Sequence, residues 1–266
     1  MSVYNYPNNE KALVRLQVDL KEEINTYVFI IHLVDLPENR LTISFCQAFN
    51  QALDKILLVF DTEFEAQARR YKSGEKDQLR GFVVTTSSGK FFSNGLNIEQ
   101  SLGKKDFGLV FSAMIARVLE FKLPTIAAVN GHAFAGGCMI ASMHDYVVMN
   151  KFRGYICMNE IDIDFPLDHG TFQFMRSRLS SPRYVHKCLV DGHRFTAEEG
   201  IQAGLVDFAV DKDQVLQTSI DLGIKLSKKV INGGTTYGLM KSQKNKEAIS
   251  SLLTERVRPG MRNSKL

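Results

Sequence analysis

The chain has 266 residues, 44% of them hydrophobic and 23% charged, with four cysteines and a formal net charge of +4. That suits one large soluble domain, or a domain with an appendage, able to bury a core without disulfides or metal. The positive excess forms no basic stripe interleaved with aromatics, so nucleic acid is not an expected partner. Cys46, Cys138, Cys157 and Cys188 are far apart with no Cys-x-x-Cys pair, which reads as reduced buried thiols rather than a disulfide frame or a zinc site. The polar N-terminus lacks a secretory pattern, and no apolar run approaches the roughly 20 residues of a membrane span.

In chain order, residues 1–11 read as a flexible N-terminus. Apolar alternation from Leu13 to Val18 and from Val28 to Val34 predicts two strands. From about Ser44 to Arg70, the apolar positions Phe45, Phe49, Ala52, Leu53, Ile56 and Val59 recur at helical spacing and predict a long helix. Phe82–Thr86 is a short β-branched strand, followed by a turn and by Phe91–Gly95 leading into a loop. A helix over Phe107–Phe121 is stopped by Pro124. Thr125–Asn130 is a buried strand, Gly136-Gly137 opens an apolar helix through Met143, and Tyr146–Met149 is again a strand. Strands alternating with helices over short links predict an α/β core. After about Pro166 helical patterns dominate, apart from Leu205–Val210.

Motifs for several chemistries are missing: there is no Gly-x-Ser-x-Gly, Walker A, Gly-x-Gly-x-x-Gly or His-Glu-x-x-His. The six histidines show no ligand spacing, and no metal is expected. Two glycine-containing loops each follow a strand: Phe91-Phe92-Ser93-Asn94-Gly95-Leu96-Asn97-Ile98 and Asn130-Gly131-His132-Ala133-Phe134-Ala135-Gly136-Gly137-Cys138. The second enters a helix, whose first N–H groups lack intrahelical acceptors and favour an anionic oxygen. With an N–H from Leu96, the two loops could form an oxyanion hole. The same residues also suit close helix packing and ordinary turn chemistry, and composition does not decide between these roles.

Thr125-Ile126-Ala127-Ala128-Val129-Asn130-Gly131-His132-Ala133, continuing through Ala135-Gly136-Gly137-Cys138 to His144-Asp145-Tyr146, resembles the signature of the crotonase (enoyl-CoA hydratase/isomerase) superfamily. Phe91 to Gly95 resembles that family's first oxyanion loop. Thr196 to Gly200 with Ala203 to Asp207 resembles its helix and turn near the end of the core. The resemblance spans roughly residues 12–210 and is greatest to peroxisomal plant-type Δ3,Δ2-enoyl-CoA isomerases. It implies a ββα spiral core (12–206), a helical C-terminal trimerisation region (207–263), and a homotrimer or hexamer.

By position, the resemblance makes Leu96 and Gly136 the oxyanion donors and Glu160 the catalytic acid/base. Arg40, Asn94, Gly95, Leu96, Asn97, Ile98, Gly136 and Gly137 would contact the substrate, with Arg40 a candidate for a CoA phosphate. Many members have Asp where this chain has Asn97. Met139 falls where hydratases keep a second glutamate, which argues for isomerisation over hydration. Asp162, Asp164 and Asp168 stand near enough in sequence to be a second acid. The implied substrate is an acyl-CoA thioester, with no cofactor beyond the coenzyme A that the substrate carries. By its residues alone, Glu160 reads as a capping or salt-bridged glutamate, and only the resemblance makes it catalytic. The alternatives are another crotonase activity, such as a hydratase or dienoyl-CoA isomerase, or a non-catalytic acyl-CoA-binding protein. Ser264-Lys265-Leu266 matches the address read by the peroxisomal import receptor, predicting the peroxisomal matrix.

Overall fold

The computed structural model describes residues 1–8, 11–70, 78–101 and 106–254. The elements are β1 (Ser2–Tyr6), β2 (Val14–Lys21), β3 (Thr26–Leu33), α1 (Ile43–Arg70), β4 (Arg80–Thr86), β5 (Phe91–Ser93), α2 (Ile98–Ser101), α3 (Phe107–Leu119), β6 (Thr125–Val129), β7 (His132–Phe134) and α4 (Gly136–Ser142). There follow β8 (Tyr146–Asn150), β9 (Ile156–Cys157), α5 (His169–Arg178), α6 (Pro182–Leu189), α7 (Ala197–Ala203), β10 (Phe208–Val210), α8 (Val215–Ser227), α9 (Thr235–Lys244) and α10 (Lys246–Thr254). The fold is α/β and crotonase-like, with a helical C-terminal region.

Two sheets carry the core. The larger has the order β1-β2-β3-β4-β6-β8-β10, antiparallel through its first three strands and parallel from there on. The smaller is parallel, in the order β5-β7-β9. Each turn of the spiral lays one strand in the large sheet and one in the small sheet, then enters a helix or helical turn: β4-β5, β6-β7, β8-β9. Strand β6, Thr-Ile-Ala-Ala-Val, is buried at every position, as a parallel strand covered on both faces must be. One face of the large sheet packs on Phe45, Phe49, Leu53 and Ile56 of α1. The other face, with Val28, Phe82, Val84, Ile126 and Val148, is covered by Leu216, Ile220, Ile224 and Leu226 of α8.

The apolar stripe of α8 is thus used within the chain, against the large sheet, and is not free for a subunit interface. The C-terminal helices also fold back, with α10 packing on α5 and α3. Residues 1–11, expected to be flexible, include an edge strand: Ser2–Tyr6 pairs along Val14–Val18. Residues 255–266, including Ser264-Lys265-Leu266, lie outside the described residues.

Buried polar groups tie these layers together. His144 bonds the Ile140 carbonyl through Nδ1 at 2.8 Å, so Nε2 accepts from the Thr85 hydroxyl at 2.7 Å. Burial lowers its pKa to about 4 and keeps the ring neutral. It is a packing histidine, as the sequence suggests.

Candidate active site

The three parallel strands of the small sheet end side by side. β5 leads into Asn94–Asn97, β7 into Ala135-Gly136, and β9 into Asn159-Glu160. The carboxyl ends of parallel strands are where α/β sheets place ligands. A cavity of about 280 Å³ opens there, lined from all three segments by Asn94, Leu96, Ile98, Phe134, Ala135, Asn159, Glu160, Ile163 and Phe165, with Arg40 at its side.

The first loop is defined by an accounting of its backbone groups. Residues 38–41 grip residues 92–97 peptide by peptide. Asn39 Nδ2 donates to Phe92 O at 3.0 Å, and Ser93 Oγ donates to Asn39 O at 2.8 Å. Asn94 N–H goes to Glu38 O, Leu41 N–H to Gly95 O, and Asn97 N–H to Leu41 O, at 2.8, 2.9 and 3.0 Å. Arg40 Nη1 donates to Asn94 O and Leu96 O at 2.9 and 3.1 Å. Gly95 N–H turns back to Ser93 Oγ at 3.2 Å. The Leu96 N–H is left without an acceptor among the described residues. It shares a trans peptide with the Gly95 carbonyl, which faces Leu41, so the N–H faces the opposite way.

The second loop presents its N–H by the same geometry. Ala135 N–H donates to Cys157 O at 2.9 Å, and Ala135 O accepts from Met139 N–H at 3.1 Å. The carbonyl therefore lies along α4, and the Gly136 N–H of the same peptide points out of the helix start. Ala135 reaches this arrangement at φ 52°, ψ −120°, a conformation costing about 1–3 kcal/mol that is typical of functional sites. Helix α4 has only seven residues, so a directed N–H matters more here than a macrodipole. The two loops touch: a Cβ at Gly95, whose φ is +73°, would lie 2.8 Å from Phe134 O and 3.2 Å from Gly136 N. A Cβ at Gly137 would lie 2.2 Å from Ser93 O. Gly137 is thus the packing glycine, while Gly136 contributes its amide.

Glu160 opens a short 3₁₀ turn, Glu160–Ile163, closed by Asp164 in the left-handed region. Its side chain is 5% exposed. Its Oε2 has no hydrogen-bond partner among the described residues. Burial raises its pKa to about 7, opposed by a hydrogen bond from its own backbone. It is the one carboxylate among the described cavity-lining residues.

The three aspartates considered as second acids are placed elsewhere. Asp162 faces Arg194 at 3.8 Å, and Asp164 ends the 3₁₀ turn. Asp168 caps α5, its Oδ1 accepting from Thr171 N–H at 2.8 Å. Met139 is 4% exposed within the core cluster and does not line the cavity.

Among the residues assigned to substrate contact, Arg40, Asn94, Leu96 and Ile98 line the cavity, whereas Gly95, Asn97, Gly136 and Gly137 do not; Ala135, the chain neighbour of Gly136, is the lining residue of the second loop. Asn97 Oδ1 accepts from Gln100 N–H at 3.1 Å and caps the short α2. Its side chain belongs to a neighbouring polar cavity of about 510 Å³, shared with Arg40, Thr42, Gln47 and Gln100. Phe134, Ala135, Asn159, Ile163 and Phe165 are lining residues that sequence reasoning missed. Only their adjacency to Gly136 and Glu160 could have pointed to them. No group of three or more His, Cys, Asp and Glu side chains among the described residues is arranged to hold a metal.

A sequence profile of the enoyl-CoA hydratase/isomerase family matches residues 64–256. The chain belongs to that family. It is 31% identical over 180 residues to enoyl-CoA delta isomerase 1, peroxisomal, of Arabidopsis thaliana, covering 65% of this chain and 74% of that protein. It is 36% identical over 170 residues to enoyl-CoA delta isomerase 3 of the same plant, covering 60% and 71%. Among solved structures, human mitochondrial delta3-delta2-enoyl-CoA isomerase superimposes with a TM-score of 0.68 at 21% identity, over 90% of this chain and 86% of that one. An enoyl-CoA isomerase of Mycobacterium tuberculosis gives 0.70 at 19% identity, over 89% and 93%. These structural likenesses establish the fold.

Proposed function

We propose that this protein is a Δ3,Δ2-enoyl-CoA isomerase converting 3-cis- or 3-trans-enoyl-CoA to 2-trans-enoyl-CoA in the β-oxidation of unsaturated fatty acids. The observation that carries this reading is Glu160: a buried, unpaired carboxyl, alone of its kind among the described residues of the cavity. In a 3-enoyl thioester the C2 proton is both α to the carbonyl and allylic, so its removal gives a dienolate. Negative charge collects on the thioester oxygen, where the Leu96 and Gly136 N–H groups would receive it. A donor so placed is worth about 3–4 kcal/mol. Glu160, now protonated, returns the proton to C4 on the same face. A pKa near 7 serves both halves of that transfer.

Hydration is a different task, because it needs a water held and activated over C3. Each aspartate near Glu160 is placed outside the cavity lining, and the aligned glutamate position is Met139. The reading is tested by ultraviolet absorbance of the conjugated enoyl thioester. Absorbance should rise when 3-enoyl-CoA is added and should not decay when 2-trans-enoyl-CoA is added. No rise would refute the isomerase, and decay at a comparable rate would make the protein a hydratase.

The peroxisomal names of two Arabidopsis relatives support import into the peroxisomal matrix, with the tripeptide Ser264-Lys265-Leu266 as the candidate address. Loss of import on removing the tripeptide is the test. A homotrimer or hexamer is proposed from the family resemblance. With the α8 stripe used internally, Ile231, Leu239 and Met240, 56%, 63% and 68% exposed, are the most exposed large apolar groups among the described residues of the helical region and are available to an interface. Light scattering decides between monomer and oligomer.

A further inference from the structure

Arg40 stands beside the cavity, where the resemblance offers it to a CoA phosphate, yet its guanidinium is already engaged. Nε and Nη2 meet the two oxygens of Glu38 at 2.9 and 3.3 Å, a two-point pairing that fixes the plane of the fork. Nη1 is thereby aimed at the first loop, where it donates to both Asn94 O and Leu96 O. Glu38 holds the same loop from its other side. Its Oε1 accepts from Asn94 Nδ2 at 2.6 Å, and its carbonyl accepts from Asn94 N–H at 2.8 Å. The Arg40 bond, then the Asn94 bond, hold the Glu38 carboxyl below its usual range. The intervening Asn39 is fully buried and sits at φ 50°. Its side chain is bonded to Ser87 Oγ and Phe92 O, so the 38–40 segment is itself anchored.

We propose that Arg40, locked by Glu38, is a positioning residue that aims the Leu96 N–H into the cavity, and is not a phosphate ligand. The proposal rests on the isomerase reading above. Leu96 lies between two peptide groups, and both are held from the 38–41 side: Gly95 O by Leu41 N–H, Leu96 O by Arg40. Among the described residues, the Leu96–Asn97 peptide without the guanidinium keeps the bond from Asn97 N–H to Leu41 O, and the Asn94–Gly95 peptide keeps the bond from Gly95 N–H to Ser93 Oγ. The loop can then rotate about Leu96, and an oxyanion donor displaced by about an ångström loses much of its effect. Lysine is no substitute, since a single ammonium cannot pair with both Glu38 oxygens and reach two carbonyls in one plane.

The test compares Arg40→Met, Arg40→Lys and Glu38→Gln with wild type on two substrates carrying the same 3-enoyl group. One is the CoA thioester. The other is the pantetheine thioester, which lacks the nucleotide and every phosphate. A positioning role predicts that kcat of both Arg40 variants falls on the order of tenfold or more on either thioester, with KM within about twofold. Arg40→Lys should recover little. Glu38→Gln, which loosens the fork without removing it, should show a smaller loss confined to kcat, and it carries the test if an Arg40 variant fails to fold. A loss expressed in KM and seen only with the CoA thioester would overturn the proposal and make Arg40 a phosphate ligand. Absence of wild-type turnover on both thioesters would instead remove the isomerase reading, and this role with it.

Discussion

Glu160 and Asp145 are both carboxyl groups largely withdrawn from water, and the fold treats them in opposite ways. Asp145 Oδ2 accepts from Lys241 Nζ at 2.8 Å, Thr125 N–H at 2.9 Å and Thr125 Oγ1 at 3.2 Å. Both side chains of that ion pair are nearly buried, 7% exposed for Lys241 and 12% for Asp145. The pair joins α9 to the turn before β8 and so fastens the helical region onto the core. Glu160 Oε2, by contrast, has no hydrogen-bond partner among the described residues. Burying a carboxyl without donors is costly, and the chain bears that cost at the one place where the cavity needs a proton carrier. Hydrogen-bond satisfaction, more than burial, separates the structural acid from the proposed catalytic one.

The largest effect should come from Glu160→Gln, which keeps the shape and removes the proton carrier. Isomerase kcat should fall by about 10²–10⁴-fold. The folded state should not suffer. The raised folded pKa, about 7 against an ordinary glutamate value of 4.5, means that Glu160 favours folding below pH 4.5 and loses that contribution as pH rises through 7. Glutamine removes the penalty, so the variant should gain up to about 3 kcal/mol at pH 8 and little at pH 4.5. Denaturant titrations at both pH values check this. A variant destabilised at pH 8 would place Glu160 among the structural acids.

Lys241→Met should do the reverse. It strands Asp145 without its cation and should lower stability by about 3–5 kcal/mol. Turnover per folded molecule should stay near wild type, read as kcat well below the melting transition. The smallest effect belongs to Asp168→Ala, which removes a half-buried helix cap and should cost about 1 kcal/mol. A large loss of kcat in that variant would restore Asp168 as a second acid and break the contrast.

Long, strongly patterned elements were legible in the sequence. The helical apolar spacing from Phe45 to Val59 marked α1, and the β-branched runs marked β4, β6 and β8. The small sheet was not legible, because β5, β7 and β9 are three, three and two residues long, too short to carry a period. The edge strand Ser2–Tyr6 was lost for a related reason: its sequence Ser-Val-Tyr-Asn-Tyr is largely exposed and looks like a polar leader. The Leu96 N–H could be suggested from its loop, but its lack of an acceptor could not be read there. Its isolation depends on pairing residues 38–41 with residues more than fifty positions away, which no local pattern records. Glu160 was similar: its chain neighbour Ile161 is 55% exposed and does not enclose it. The apolar enclosure comes instead from Leu96, Phe134 and Phe165, supplied by other segments and by the chain beyond the turn. Arg40, an ordinary exposed arginine in sequence, is tied down in three dimensions.

The central claim is that one buried, unpaired carboxyl moves the proton. The pH dependence of kcat/KM for 3-enoyl-CoA tests it most directly, since that ratio reports the ionisation of the free enzyme. Glu160 must be ionised to accept the C2 proton, so kcat/KM should rise with pH through an apparent pKa of about 7 and then level. A rise centred near the ordinary carboxylate value, or a profile flat between about pH 5 and 9, would contradict the assignment of the base to a desolvated Glu160.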